Sequence, residues 1–253
     1  MGPEYSSVLG NETDKLALLA LKSQITDDPQ KILLSWNSSS HFCKWTGVIC
    51  GHKQERVTGL NLKGRKLDGT ITPHIGNFSF LHSLDLSDYY FRGGFPPELG
   101  NLGRLQILNM SNNLLEGQVP ASLSGCSNLV SLALRKNFLI GKIPPEIGSL
   151  QNLISLSYNN FNGNIRNTIG LDLPKLKIFY LAFNFFTGQI PDSLSNASAL
   201  EGIDVLHNNF TGKVPVSFGS SHNLQVFSVG YNLLGNGGSE DLNFVDSLTN
   251  CSN

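Results

Sequence analysis

The sequence predicts an α/β solenoid: a right-handed leucine-rich superhelix with a parallel β-sheet on its concave side, 3₁₀ turns on its convex side and a helical N-terminal cap. Three observations carry this. A glycine followed two residues later by Ile, Val or Phe stands at Gly69, Gly93, Gly117, Gly141, Gly163, Gly188 and Gly212, at spacings of 24, 24, 24, 22, 25 and 24. Upstream of these glycines runs the frame L-x-x-L-x-L-x-x-N-x-L, whole in Leu105, Leu108, Met110, Asn113 and Leu115. Proline follows the apolar residue at Pro96, Pro120, Pro144, Pro191 and Pro215. Self-similarity at a period of two dozen residues marks units that bury their apolar faces only by stacking on one another.

Residues 1–10 read as a disordered leader with neither a basic nor an apolar signal segment. Residues 11–56 read as a cap over the first turn. Thr13 or Asp14 is placed to cap a helix that carries Leu16, Leu19 and Ala20 on one face, with Pro29 beyond its end. Such a cap covers strand edges and leucines that the first turn leaves open. Cys43 and Cys50, close in sequence, are expected to form a disulfide. A metal site with nearby His41 and His52 is the rival reading.

Residues 57–238 hold eight leucine-rich repeats. In each L-x-L core, alternation sends two apolar side chains to one face of a short strand and the residue between them to the other. Leu108, Leu132 and Leu181 are expected to share one interior column. The asparagines that follow the strands, Asn113, Asn137, Asn159, Asn184, Asn208 and Asn232, form a ladder. Each buried amide can bond backbone of its own and the adjoining turn. Arg65 and Tyr89 hold this place in the first two repeats. The fifth repeat is two residues short, with the pinch expected between Leu153 and Asn159. In the last segment, 239–253, Ser239 is placed to cap an insertion helix carrying Leu242, Val245 and Leu248. The start of a truncated ninth repeat follows. Cys126 and Cys251 stand in equivalent places, five repeats apart, and are expected to be buried free thiols.

Composition excludes several function classes. Charged residues are 15% of the chain and the net charge is −1, so nothing points to nucleic acid as a partner. No stretch reaches the roughly 20 apolar residues of a membrane span. The Gly235/Gly237/Gly238 cluster lacks phosphate-loop spacing. The six histidines form no metal pattern, no Gly-x-Ser-x-Gly elbow occurs and no kinase motif is found. No cofactor is expected and the chain is not read as an enzyme. Seven Asn-x-Ser/Thr sites, at Asn11, Asn37, Asn77, Asn109, Asn196, Asn209 and Asn250, point with the disulfide to the secretory route.

Asp14 to Trp36, with its Ala-Leu-Leu, Asp-Pro and Trp elements, and Cys43-Lys-Trp-Thr-Gly-Val-Ile-Cys50 resemble the plant-type leucine-rich-repeat N-terminal domain. The stretch Asp241 to Cys251, entered through the glycine-rich insertion, is similar to subfamily XII of the plant leucine-rich-repeat receptor kinases. The resemblance implies an ectodomain fragment on the outer side of the plasma membrane, a peptide or protein ligand of microbial origin, a co-receptor kinase, and a Ser/Thr kinase elsewhere in the parent protein. A secreted apoplastic inhibitor of microbial cell-wall-degrading enzymes and a non-functional truncated product are the alternative readings.

Concave positions in the early repeats are small or polar: Asn61, Asp85, Asn109, Ser111 and Ala133. From the fifth repeat Tyr158, Phe183, His207 and Tyr231 stand just before the ladder asparagine, with Tyr180 beside them. Exposed rings suit peptide contact. The competing reading has these rings pack on one another or prop the sheet. Arg135 and Lys136 read as a solvated part of the same face.

Overall fold

Periodicity of two on an L-x-L segment makes a strand with one apolar edge, and a strand of three to five residues is too short to stand alone. The computed structural model describes residues 3–88, 90–144 and 152–249, with side chains from Asn11 onward, and resolves the chain into two compact units, 1–129 and 130–253. Each unit is a run of leucine-rich-repeat coils with two sheets, an inner one from the L-x-L strands and an outer one that follows the ladder asparagines.

In the first unit the inner strands Val57–Asn61, Ser83–Asp85 and Ile107–Asn109 pair in parallel. The outer strands Asp68–Thr70, Tyr90–Gly93 and Leu114–Gln118 do the same. The cap closes both edges. Val48–Cys50 pairs antiparallel with the first inner strand, and Ile25–Asp27 with the first outer one. The second closure explains Gly69, where a Cβ would meet the Gln24 carbonyl oxygen at 2.3 Å. Trp36 stacks on Trp45 at 5.6 Å and donates its indole N–H to the Thr46 carbonyl. Cys43 and Cys50 are disulfide-bonded with Cα atoms 5.5 Å apart, so neither sulfur is a thiolate ligand for a metal.

Three expectations for the cap are corrected. Helix α1 runs Pro3–Ser23, so residues 3–10 are helical where a disordered leader was expected. A proline in the first turn costs the helix no hydrogen bond. Neither Thr13 nor Asp14 caps it, because both lie inside it. The buried face is Asp14, Ala17, Leu18 and Leu21, while Leu16 is 58% exposed. Asp14 is spent on a long-range pair instead. Its carboxylate accepts from Arg56 Nε and Nη2 and from the Val57 amide, all at 2.8 Å, and is fully buried.

In the second unit the inner strands are Ser131–Ala133, Leu153–Ser155, Ile178–Tyr180, Gly202–Asp204 and Val226–Ser228. Their register places Leu132, Ile154, Phe179, Ile203 and Phe227 in one column. Leu181 therefore lies one column along from Leu132, level with Leu134 and Leu156, and not in the column expected for it. Register through the short fifth repeat is kept in the inner sheet, and in the outer sheet Gly141 pairs with Phe161 just as Gly188 pairs with Phe210. From Ile154 to Asn159 the count matches Leu132 to Asn137. The missing residues thus fall before Ile154, not after Leu153, in a stretch that includes 145–151, outside the described residues.

The ladder asparagines are buried in both units, Asn232 less than the rest. Asn184 is typical: its Oδ1 accepts from the Phe161 amide at 3.0 Å, and its Nδ2 donates to the Leu156 and Leu181 carbonyls, each at 3.0 Å. Asn113, Asn159, Asn208 and Asn232 make the same three bonds. Asn137 donates to Leu134. Tyr89, which takes the ladder place in repeat two, lies outside the described residues. Beneath the ladder Phe161, Phe186 and Phe210 stack at 6.1 and 6.3 Å, a spine that replaces the leucine of the frame. The repeat glycines from Gly93 to Gly212 have φ between 77° and 84°, a backbone that L side chains rarely adopt.

Single-turn segments, mostly 3₁₀, follow the prolines. In the eighth repeat helix α2, Asn243–Leu248, takes that place, and the Ser247 carbonyl lies against Gly219 as the Ser193 carbonyl lies against Gly170. Ser239 does not cap α2, which begins four residues later. Asp241 caps the glycine-rich loop, accepting from the Asn236 and Gly237 amides at 2.9 and 2.8 Å. Cys251 and the start of a ninth repeat lie outside the described residues.

Candidate functional site

The turn after each inner strand in the second unit places one residue in the left-handed region just before the ladder asparagine. These are Lys136, Tyr158, Phe183, His207 and Tyr231, with φ of 55°, 60°, 56°, 50° and 51°. The turns are stacked in parallel, the amides of Tyr158, Phe183 and His207 donating to the Ala182, Leu206 and Gly230 carbonyls of the next repeat. This fixes the side chains in register. The rings of Tyr158 and Phe183 stack at 4.3 Å, Phe183 and His207 at 4.5 Å, and His207 and Tyr231 at 4.1 Å. The Arg135 guanidinium lies over the Tyr158 ring, 5.0 Å from its centre. The rings do pack on one another: Tyr158 is 40% and Tyr231 75% exposed, while Phe183 and His207 between them are half-buried.

Tyr180 belongs to a neighbouring column, at the end of an inner strand. Its ring lies over Gly202, where a Cβ would come 2.8 Å from the phenol oxygen. At that register position the other repeats carry Ser131, Leu153, Ile178 and Val226, so the glycine is the signal that sequence reading missed. Burial, and then the negative charges of Asp204 and Glu201, push the Tyr180 phenol above its ordinary pKa. Glu201 is paired with Lys177 at 3.1 Å. Asp204 accepts from the Leu206 amide at 3.2 Å and pairs with no cation among the described residues. Among the described residues no carboxylate pairs with Arg135 or Lys136.

The first unit decorates its own inner face differently. Asn109 donates to Asp85 at 3.2 Å, and Asp85 in turn accepts from the Ser87 amide and hydroxyl. Of the glycosylation candidates, Asn37, Asn77, Asn196 and Asn209 are exposed, Asn11 and Asn109 are half-buried, and Asn250 lies outside the described residues. Attachment at Asn109 would use the nitrogen that bonds Asp85. Among the described residues no group of three His, Cys, Asp or Glu could hold a metal ion. No helix there is long and apolar enough to cross a membrane.

Comparison with known proteins decides the family. A leucine rich repeat N-terminal domain matches residues 11–51, and leucine rich repeats match residues 80–102, 104–126 and 175–197. The chain belongs to the leucine-rich-repeat proteins. It is 55% identical over 82 residues to the LRR receptor-like serine/threonine-protein kinase EFR of Arabidopsis thaliana, a match over 32% of this chain and 8% of that one. Among solved structures it is similar to PEPR1 in its complex with AtPEP1, with a TM-score of 0.78 and 35% identity over 88% of this chain and 32% of the other. It is also similar to the Arabidopsis receptor kinase HAESA in complex with the peptide hormone IDA and the co-receptor SERK1, with a TM-score of 0.69 and 28% identity over 88% of this chain and 42% of the other. The chain thus corresponds to a part of each of these longer proteins.

Proposed function

We propose that this chain is part of the extracellular, ligand-sensing region of a plant receptor kinase, and that it holds a peptide or an extended protein segment on the inner face of repeats five to eight. The parent protein would carry the Ser/Thr kinase and engage a co-receptor kinase once the ligand is seated. Extracellular exposure with glycans at the exposed Asn-x-Ser/Thr sites accords with the disulfide and with the kinship to membrane receptor kinases.

One observation carries the reading. Rings that only filled space would be buried, and a turn that only needed a left-handed residue would use Gly, Asn or Asp. Here four successive repeats put Tyr, Phe, His and Tyr into that backbone, with Tyr158 and Tyr231 exposed and Phe183 and His207 half-buried between them. A strained, exposed and repeated feature is the kind that contact with a partner explains. Proteins similar to this one are seen with peptides bound, which agrees.

The test is selection of binders from a random dodecapeptide library on the whole chain, followed by the double variant Phe183→Glu/Tyr231→Glu. Enriched peptides should lose at least a hundredfold in affinity on the variant, while its melting stays within a few degrees of the parent. Equal binding to the variant would end the reading.

A further inference from the structure

The aromatic row does not lie on a neutral face. At one end stand Arg135 and Lys136, in the repeat before Tyr158. Lys136 heads the same left-handed column as the rings, and Arg135 keeps its guanidinium on the Tyr158 ring with its N–H donors unspent on any carboxylate of the described residues. A guanidinium held by a ring face is positioned at little entropic cost and still offers a planar fork to an acid. Near the other end stands Asp204, register partner of Tyr180, with one carboxylate oxygen on the Leu206 amide and no cation paired with it among the described residues. Its neighbour Glu201 is matched by Lys177, so Asp204 is the charge left over.

Charges of opposite sign without ionic partners among the described residues, three repeats apart on one face, define a dipole, and the fold sets its length. Ser131–Ala133 and Gly202–Asp204 are three strand steps apart in the inner sheet. At about 4.8 Å per step the separation is about 14 Å. An extended peptide rising about 3.3 Å per residue covers that distance in about four residues. Between the ends it would run over Tyr158, Phe183 and Tyr180, surfaces suited to apolar or planar side chains.

We infer that the ligand is an extended segment with an acidic residue at the Arg135/Lys136 end, a basic residue about four positions away at Asp204, and apolar or planar side chains between them. This deepens the reading of the aromatic face and rests on it. It specifies a ligand that is locally dipolar, not simply acidic or basic.

The same dodecapeptide selection tests it. Enriched sequences should carry one acid and one base separated by three to five positions. Asp204→Lys should weaken binding of such a peptide by at least tenfold, and reselection on that variant should replace the base by an acid. Asp204→Asn serves as a milder second variant and should erase the preference for the base without creating a new one. If the enriched peptides need the rings but carry no such pair, or if both Asp204 variants bind them unchanged, this inference falls and the aromatic site stands. If nothing is enriched, or the peptides ignore Phe183→Glu/Tyr231→Glu, both fall together.

Discussion

The first and second units are built on the same kind of ladder and turn, and differ in what they hang on the turn. Before the ladder position the first unit has Gly64, Asp88 and Asn112; the second has Lys136, Tyr158, Phe183, His207 and Tyr231. All have positive φ. Gly, Asp and Asn tolerate that backbone, and His is the most tolerant of the second set, but Tyr, Phe and Lys are held there at a cost of about 1–2 kcal/mol each. The polar groups of the first unit's face are also turned on one another, as in Asn109, Asp85 and Ser87. In the second unit Arg135, Lys136 and Asp204 have no ionic partner among the described residues. Identical coils thus carry one face that satisfies itself and another that waits for contact.

If the first unit owes its integrity to its cap, the largest effect should come from the pair that ties cap to coil. Asp14→Ala leaves the Arg56 guanidinium, itself only 12% exposed, without its carboxylate, and strands the Val57 amide. Breaking a buried pair of this kind costs about 3–5 kcal/mol. Denaturant unfolding should show that loss in the transition that includes residues 11–61. A change below about 1 kcal/mol would show that the cap is ornamental.

The ladder should be as demanding in the second unit as in the first, whatever the decoration. Asn184→Ala removes the three ladder bonds, and a longer one to the Ala182 carbonyl, and leaves the Phe161 amide and the Leu156 and Leu181 carbonyls in search of partners. At about 1–3 kcal/mol for each orphaned group, partly relieved by water, a loss of about 3 kcal/mol is expected. Asn113→Ala should match it. A large inequality between the two would break the claim that the scaffolds are equivalent.

Cys126 separates scaffold from face by pH. It is 1% exposed and its thiol donates to the Leu99 carbonyl at 3.1 Å. Burial pushes its pKa up to about 11. An acid whose folded pKa is raised stays protonated in the native state while the unfolded chain ionises. Its contribution is therefore complete below pH 9 and is lost as pH climbs toward 11. That is about 3 kcal/mol over the interval, seen as the difference between the stability curves of the parent and Cys126→Ala. Parallel curves would overturn the assignment.

How much of this was legible in the sequence follows from the range of each interaction. The columns through Leu132 and Ile154 and the asparagine ladder are set by period, and period is written in the chain. The helix face was misread because Leu16 to Leu21 offers leucine on every side, and only the neighbour decides which side is wet. Asp14 looked like a local cap because its partner is 42 residues away. The aromatic row could be counted out, but its left-handed backbone, its stacking and the bare Gly202 under Tyr180 come from superposing turns. That is a property of the coil and not of any one segment.

The smallest expected effect is the sharpest test of the comparison. Phe183→Gly removes a ring stacked on both sides and should lose about 0.5–1.5 kcal/mol of aromatic contact on each side that is truly favourable. It also releases a strained left-handed residue, worth about 1–2 kcal/mol, against a loss of about 0.5–1 kcal/mol from the greater freedom of glycine in the unfolded chain. The terms leave a small net loss, so stability should fall by about 1–2 kcal/mol while affinity for a selected peptide falls tenfold or more. Asn112→Gly, at the same place in the first unit, should leave both quantities almost unchanged. If Phe183→Gly instead costs several kcal/mol and spares binding, the rings are part of the scaffold, and the two faces differ in composition but not in purpose.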